Sequence, residues 1–236
     1  MDKTFEPSET TCQRAVGLVI FIIAGLAIFA EMSVRATLVI SGDAGATAAN
    51  VIANQTLFNG AFAAYLLAYT LDVPVAVLFF RILKSAGENL SRLAMAFRLV
   101  YAAIVVAVLL NFHSGIDLLT NPAYAALDQT VRQDLALQAF NTFENGFAMS
   151  LVVFGFHLLL VGWLFFRTRQ VPRWLATLVA LAGVAYIVDN LLVFLAPALH
   201  EAIAPFVMVL AMSELVLGIW LLVAPGHSRM PIAQPA

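Results

Sequence analysis

The sequence predicts an all-α protein, a polytopic integral membrane bundle of six transmembrane helices. Three observations predict it. The 236 residues are 62% hydrophobic and only 11% charged, with a mean hydropathy of +0.94, whereas a soluble domain is close to half apolar and about a quarter charged. Apolar runs of about 20 residues recur along the chain, the length that crosses a bilayer as a helix. The runs are continuous rather than alternating, which fits helices and not a transmembrane barrel.

The expected spans are 15–36, 57–83, 91–113, 140–166, 173–196 and 204–224. The first is too long for a signal peptide, its flank is mixed in charge, and no small-x-small site ends it, so it is expected to be retained. The whole chain, 1–236, is expected to be one membrane domain with short tails at about 1–14 and 225–236. "SGDAGATAANVIANQT" (41–56) reads as a short helix capped by Ser41 or Asp43. In "TNPAYAALDQTVRQDLALQAF" (120–140) Asn121 is placed to cap and Pro122 to open a helix, with Ala123, Leu127, Val131 and Leu135 at helical spacing. Both segments read as amphipathic lids on the bilayer, with a substrate gate as the sharper alternative. "RTRQVPR" (167–173) is a tight turn with Pro172 opening the fifth span. Pro74 is the one mid-span proline of this set. "FFRILKSAGENLSRLA" (79–94) echoes "FFRTRQVPRWLA" (165–176), which reads either as a parallel repeat or as two similar basic hairpins.

Lys3, Arg14, Arg81, Lys84, Arg92, Arg167, Arg169, Arg173 and Arg229 flank the spans on one side; Arg35 and Arg132 lie on the other. By the positive-inside rule both termini are expected in the cytoplasm, and the protein in the cell membrane, for a bacterium the inner one. The formal charge of −2, without a basic patch interleaved with aromatics, argues against nucleic acid. Cys12 is the single cysteine, so no internal disulfide and no cysteine-based metal cage are expected. No H-E-x-x-H, G-x-S-x-G or phosphate-cradling loop occurs, so no catalytic residue, metal or cofactor is assigned.

The chemistry-bearing residues are the charges inside the runs: Glu31, Arg35, Asp72, Arg98, Glu144, His157, Asp189 and Glu214. An ionised group in the bilayer core costs a few kcal/mol on insertion scales, so such groups turn inward and find partners. The carboxylates also share faces with small residues. Gly17, Ala24 and Ala27 lie with Glu31; Ala61, Tyr65, Ala68 and Ala76 with Asp72; Ala148 and Gly155 with Glu144; Ala182, Ala185 and Tyr186 with Asp189. Glu31, Arg35 and Asp189 are expected to line one outward-open polar cluster, with Asn190 at a helix interface. Asp72 and Arg98 are expected to pair across neighbouring antiparallel spans. Each has a plainer reading. Glu31 and Arg35 are i,i+4 and in the favourable order for a simple pair. His157 reads equally as an interior histidine donating to a carbonyl.

The strings "FAEMSVRATLVISGDAGATAANVIANQTLF", "LDVPVAVLFF", "FRLVYAA", "VFGFHLLLVGWLFFR", "VPRWLATLVALAGVAYIVDN" and "SELVLGIWLL" resemble the bacterial membrane proteins known as domain of unknown function 4386. The resemblance covers most of the chain and implies a polytopic membrane protein without an assigned activity. It includes Glu31, Arg35, Asp43, Asp72, Arg98, His157, Arg173 and Glu214; Glu144, in "NTFENGF", has no clear counterpart. The leading functional expectation is small-molecule or ion/proton-coupled transport, or ligand binding, through an interior polar cluster, with membrane lipid and a small ligand as partners. The alternatives are a membrane-embedded enzyme, with His157 meeting at least two of Asp72, Glu144, Asp189 and Glu214, and a structural subunit whose charges are all paired.

Overall fold

A computed structural model describes residues 8–224. Lys3, Arg229 and the outer parts of both expected tails lie outside the described residues. Within them the protein is helical with no strand, and six helices are long and apolar enough to cross a membrane. They are α1 (Glu9–Leu38), α3 (Gln55–Leu83), α4 (Glu88–Thr120), α5 (Gln129–Thr168), α6 (Arg173–Leu195) and α7 (Pro197–Val223), with the short α2 (Ala44–Ala53) after α1. Each expected span coincides with one long helix.

α2 is capped as expected. The Asp43 carboxylate accepts from the Ala46 N–H at 2.8 Å, one of the donors a helix start leaves unmatched. Thr47 bonds the Ile40 backbone and Asn50 donates to the Leu38 carbonyl at 2.9 Å, strapping α2 to the end of α1. The lid expected at 120–140 takes another form. Asn121 caps only the 3₁₀ turn Pro122–Tyr124. Asp128 then accepts from the Thr130 N–H at 2.8 Å and starts α5, which runs unbroken for 40 residues. At 1.5 Å per residue α5 is about 60 Å long, roughly twice the hydrocarbon thickness, so its polar first turns extend past the apolar stretch.

α6 and α7 meet at a single residue, Ala196, whose carbonyl accepts from the His200 N–H at 3.1 Å. Pro197 opens α7 where its missing N–H does no harm. The last span therefore starts at 197 rather than 204, His200 lies in its first turn, and Pro205 joins Pro74 as a proline inside a helix. α1 departs from α geometry over Phe29–Arg35, a π-helical stretch in which the Ala36 N–H reaches back five residues to the Glu31 carbonyl.

The chain separates into two compact units that share helices. One comprises residues up to Phe21, Val73–Val100 and those from Leu151 onward; the other comprises Ile22–Asp72 and Tyr101–Ser150. In the first, small residues let backbones nearly touch. A Cβ on Gly183 would lie 2.5 Å from the Leu159 nitrogen, and one on Gly162 2.5 Å from the Ala180 nitrogen, so α5 and α6 pack backbone to backbone. Gly17 meets the Gly218 carbonyl in the same way. Gln170, in the α5–α6 turn, donates to Glu9 at 2.8 Å and to the Ile82 carbonyl at 3.3 Å, while its own carbonyl accepts from the Trp220 indole at 3.3 Å. It ties the turn to α1, α3 and α7. The second unit is packed by rings. Phe58, Tyr65, Phe112, Phe140 and Phe143 are fully buried, with centroid separations such as 5.3 Å for Phe112 and Phe140.

The Gly183 contact is testable against an open glycine. Gly183→Ala forces α5 and α6 apart and is expected to cost about 1–3 kcal/mol, the usual range for overpacking, read as a lower Tm in detergent. Gly25, which meets nothing within 4 Å of an added Cβ, is expected to tolerate alanine without loss. Equal effects at the two positions would contradict the close packing.

Candidate functional site

Each unit holds a polar centre. In the second unit it is built on the π-helical stretch of α1. The Arg35 guanidinium bonds both oxygens of Glu31, its Nε at 2.9 and 2.8 Å and its Nη2 also on Oε1. Tyr65 of α3 donates its hydroxyl to Glu31 Oε2 at 2.6 Å. From α5, Glu144 Oε2 lies 3.2 Å from Arg35 Nη1. Side-chain exposure separates the two acids: 32% for Glu31 and 56% for Glu144, against 17% for Arg35. With both carboxylates and the guanidinium ionised the group carries −1. Glu31 is committed to two partners, whereas Glu144 makes one longer contact and faces outward.

In the first unit the centre is Arg98 on α4. Its guanidinium lies 5.3 Å from the Phe154 ring and 5.7 Å from the Phe79 ring, with Glu214 Oε1 of α7 at 3.5 Å. His157 of α5 completes it: Nε2 lies 3.1 Å from Arg98 Nη1, and Nδ1 lies 2.9 Å from the Ala94 carbonyl. A carbonyl only accepts and a guanidinium only donates, so Nδ1 carries the proton, Nε2 accepts, and the ring is neutral. Both nitrogens are thereby occupied. His157 takes its plainer expected role, an interior histidine that donates to a carbonyl. On the α6–α7 hairpin, Asp189 Oδ1 lies 2.8 Å from His200 Nδ1. Tyr186, one turn before Asp189, is half-buried, its ring edge-on to Phe154 at 5.9 Å. Asn190 is buried and donates to the Tyr186 carbonyl at 2.9 Å.

The eight residues singled out from the sequence therefore distribute as follows. Glu31, Arg35 and Glu144 meet in one unit; Arg98, His157 and Glu214 meet in the other, where Asp189 joins His200. Asp72 is 1% exposed and ends the second unit's first segment. Among the described residues no group of three or more His, Cys, Asp and Glu converges as a metal site. Ser150 donates its hydroxyl to the Phe147 carbonyl at 2.6 Å.

The family model for domain of unknown function DUF4386 matches residues 15–224. The chain belongs to the DUF4386 family. A DUF4386 match over those residues takes in both polar centres, Glu144 included. The chain is also similar to an uncharacterized protein of Archaeoglobus fulgidus, 31% identical over 153 residues, which is 65% of this chain and 76% of that one. No solved structure matches.

Sequence reasoning left Tyr65, Tyr186 and His200 out of the site. The first two were visible as polar tips on the faces carrying Asp72 and Asp189. His200 was assigned to a loop, and Pro197 as a helix opener was the available signal that it is helical.

The Glu31–Arg35 pair makes a separable prediction. Arg35→Gln leaves two carboxylates together without their cation and is expected to cost about 2–4 kcal/mol, somewhat under the range for breaking a fully buried pair. Glu31→Gln in the same background is expected to restore part of that loss, measured by unfolding in detergent. Losses that simply add would mean that the pair is not coupled.

Proposed function

We propose that the protein is a proton-coupled membrane transporter or ligand-binding protein, with the titratable side chains of α6 and α7 as its proton path. The observation that carries the reading is the 2.8 Å contact between His200 and Asp189, on helices that also carry Tyr186 and Glu214. Ionisable groups in apolar helices are costly, and where they persist in a row they mark ion or proton pathways. His200 is the exposed end at 31%, against 10% for Asp189. Glu214 is the inner end, on the Arg98 guanidinium. The Glu31–Arg35–Glu144 group, with one loosely held acid, is the candidate contact for a small cationic ligand. Lysine and arginine placement supports cytoplasmic termini, with α2 and the 122–128 segment on the outer face of the cell membrane.

Orientation is the first test. A cysteine at Ala46 or at Ala126 is expected to react with a membrane-impermeant maleimide on intact cells; reaction only after permeabilisation inverts the topology. Native Cys12 is buried and gives little background.

The proton path is tested in proteoliposomes with a valinomycin-set potassium potential and a trapped pH dye, with and without a small-metabolite extract on one face. The wild type is expected to admit protons faster than protein-free vesicles. Asp189→Asn and Glu214→Gln should each slow this by about tenfold or more, a barrier increase of about 1.4 kcal/mol. Exposed Glu88→Gln should not change it. Wild-type vesicles as tight as empty ones under both conditions would remove the proposal.

A further inference from the structure

All three tryptophans of the chain belong to the first unit, and they gather about the α5–α6 turn. Trp163 lies in the last turns of α5, Trp174 in the first turn of α6, and Trp220 donates to the Gln170 carbonyl in the turn itself. Trp163 and Trp174 are 52% and 57% exposed. Tryptophan concentrates where apolar side chains give way to headgroups. The same turn carries Arg167, Arg169 and Arg173, all exposed, and no lysine. The acid bonded to the turn is Glu9, through Gln170. Arg167 and Arg173 bring two positive charges to the turn.

The side chains are organised. The Trp163 ring stacks on Phe166 at 6.5 Å with an interplanar angle of 9°, and the Arg173 guanidinium lies 5.1 Å from the Phe166 ring centre. An indole, a phenyl and a guanidinium therefore form a ladder from α5 to α6. A guanidinium held this way gives up less rotamer freedom when it binds an anion. Its planar fork also matches phosphate oxygens better than an ammonium does.

An apolar track continues from this charge. On α6, Trp174, Leu181, Val184, Val188 and Leu191 fall on one helical face and are each at least 41% exposed. Beside it, the glycine contacts hold α5 and α6 so close that their seam is shallow. An occupant that satisfies both features is anionic at one end and has a long apolar tail.

We infer that the α5–α6 hairpin is a docking site for an anionic phospholipid, its phosphate on Arg167 and Arg173 and an acyl chain along the α6 stripe from Trp174. A zwitterionic lipid offers the same tail but no net charge, and inorganic phosphate offers the charge but no tail. The site is independent of the proton path, since neither Arg167 nor Arg173 belongs to it.

The experiment uses the full chain in a neutral detergent, supplied with dioleoyl phosphatidylglycerol, dioleoyl phosphatidylcholine or inorganic phosphate. Bound lipid is counted by native mass spectrometry, and Tm is followed in parallel. Phosphatidylglycerol is expected to be retained about tenfold over phosphatidylcholine and to raise Tm. At about one factor of five per basic side chain near an anionic surface, Arg167→Gln with Arg173→Gln should reduce the preference to within about twofold. Arg167→Lys with Arg173→Lys keeps the charge and should retain an intermediate preference, which separates lost binding from lost folding. Equal retention of the two lipids by the wild type overturns the inference, as does a preference that survives the glutamine pair. Stabilisation by inorganic phosphate that matches phosphatidylglycerol assigns the arginines to a soluble anion and overturns it too.

Discussion

An ionised side chain cannot be left alone in hydrocarbon, and the placement of the two arginines inside the spans follows from that constraint. Arg98 is nearly fully buried and Arg35 is largely so. Each must collect partners from other helices, and the helices must approach closely enough to supply them. Arg98 draws on α3, α5 and α7 through Phe79, Phe154, His157 and Glu214. Arg35 draws on α5 through Glu144 and, by way of Glu31, on α3 through Tyr65. The close packing at Gly155, Gly162 and Gly183 is the apolar counterpart of the same requirement. Without a strong hydrophobic drive between helices in lipid, contact distance decides whether they associate.

Much of this was legible in the sequence, because the bilayer makes length and composition decisive. The six apolar runs mark the six long helices, and Asp43 marks the start of α2. The small-residue faces show where helices touch, and Glu31 with Arg35 has a spacing that is itself a pairing signal. The failures share one cause. Apolar-run counting stops at the first polar residue, while a helix continues as long as its backbone bonds are made. Pro197–Ile203 was therefore read as a connection although it is helical, which hid His200; at 120–140 a helix was expected, but as a separate lid from Pro122 rather than as the first turns of α5. Glu144 was set apart only because "NTFENGF" has no clear counterpart in the family resemblance. Its partner Arg35 is far away in sequence, and only tertiary packing brings the two together.

The π-helical stretch at Phe29–Arg35 had no sequence signal either. A π turn has poorer backbone geometry than an α turn and survives when surrounding contacts reward the altered side-chain directions. Here the stretch begins just before Glu31 and ends on Arg35, so both groups of the pair project from it. Tyr65 then fixes Glu31 from the α3 side. The π-helical turn and the charge pair are two aspects of one local solution: the turn aims the charges, and their hydrogen bonds hold the turn.

The two arginines are nevertheless held in different ways, and the difference separates a fixed group from an exchangeable one. Around Arg98 the partners include two aromatic faces, a neutral imidazole and Glu214 at 3.5 Å. His157 is fully buried and bonded at both nitrogens, so turning it away would break two hydrogen bonds in a low-dielectric setting at about 1–3 kcal/mol each. Around Arg35, Glu31 is held by guanidinium and phenol together, but Glu144 is 56% exposed and touches one nitrogen at 3.2 Å. An exposed ion-pair contact is worth about 0–1 kcal/mol, so thermal motion alone can release it. The same guanidinium thus holds one acid firmly and one loosely, and only the first is tied to a second helix by a hydrogen bond, from Tyr65.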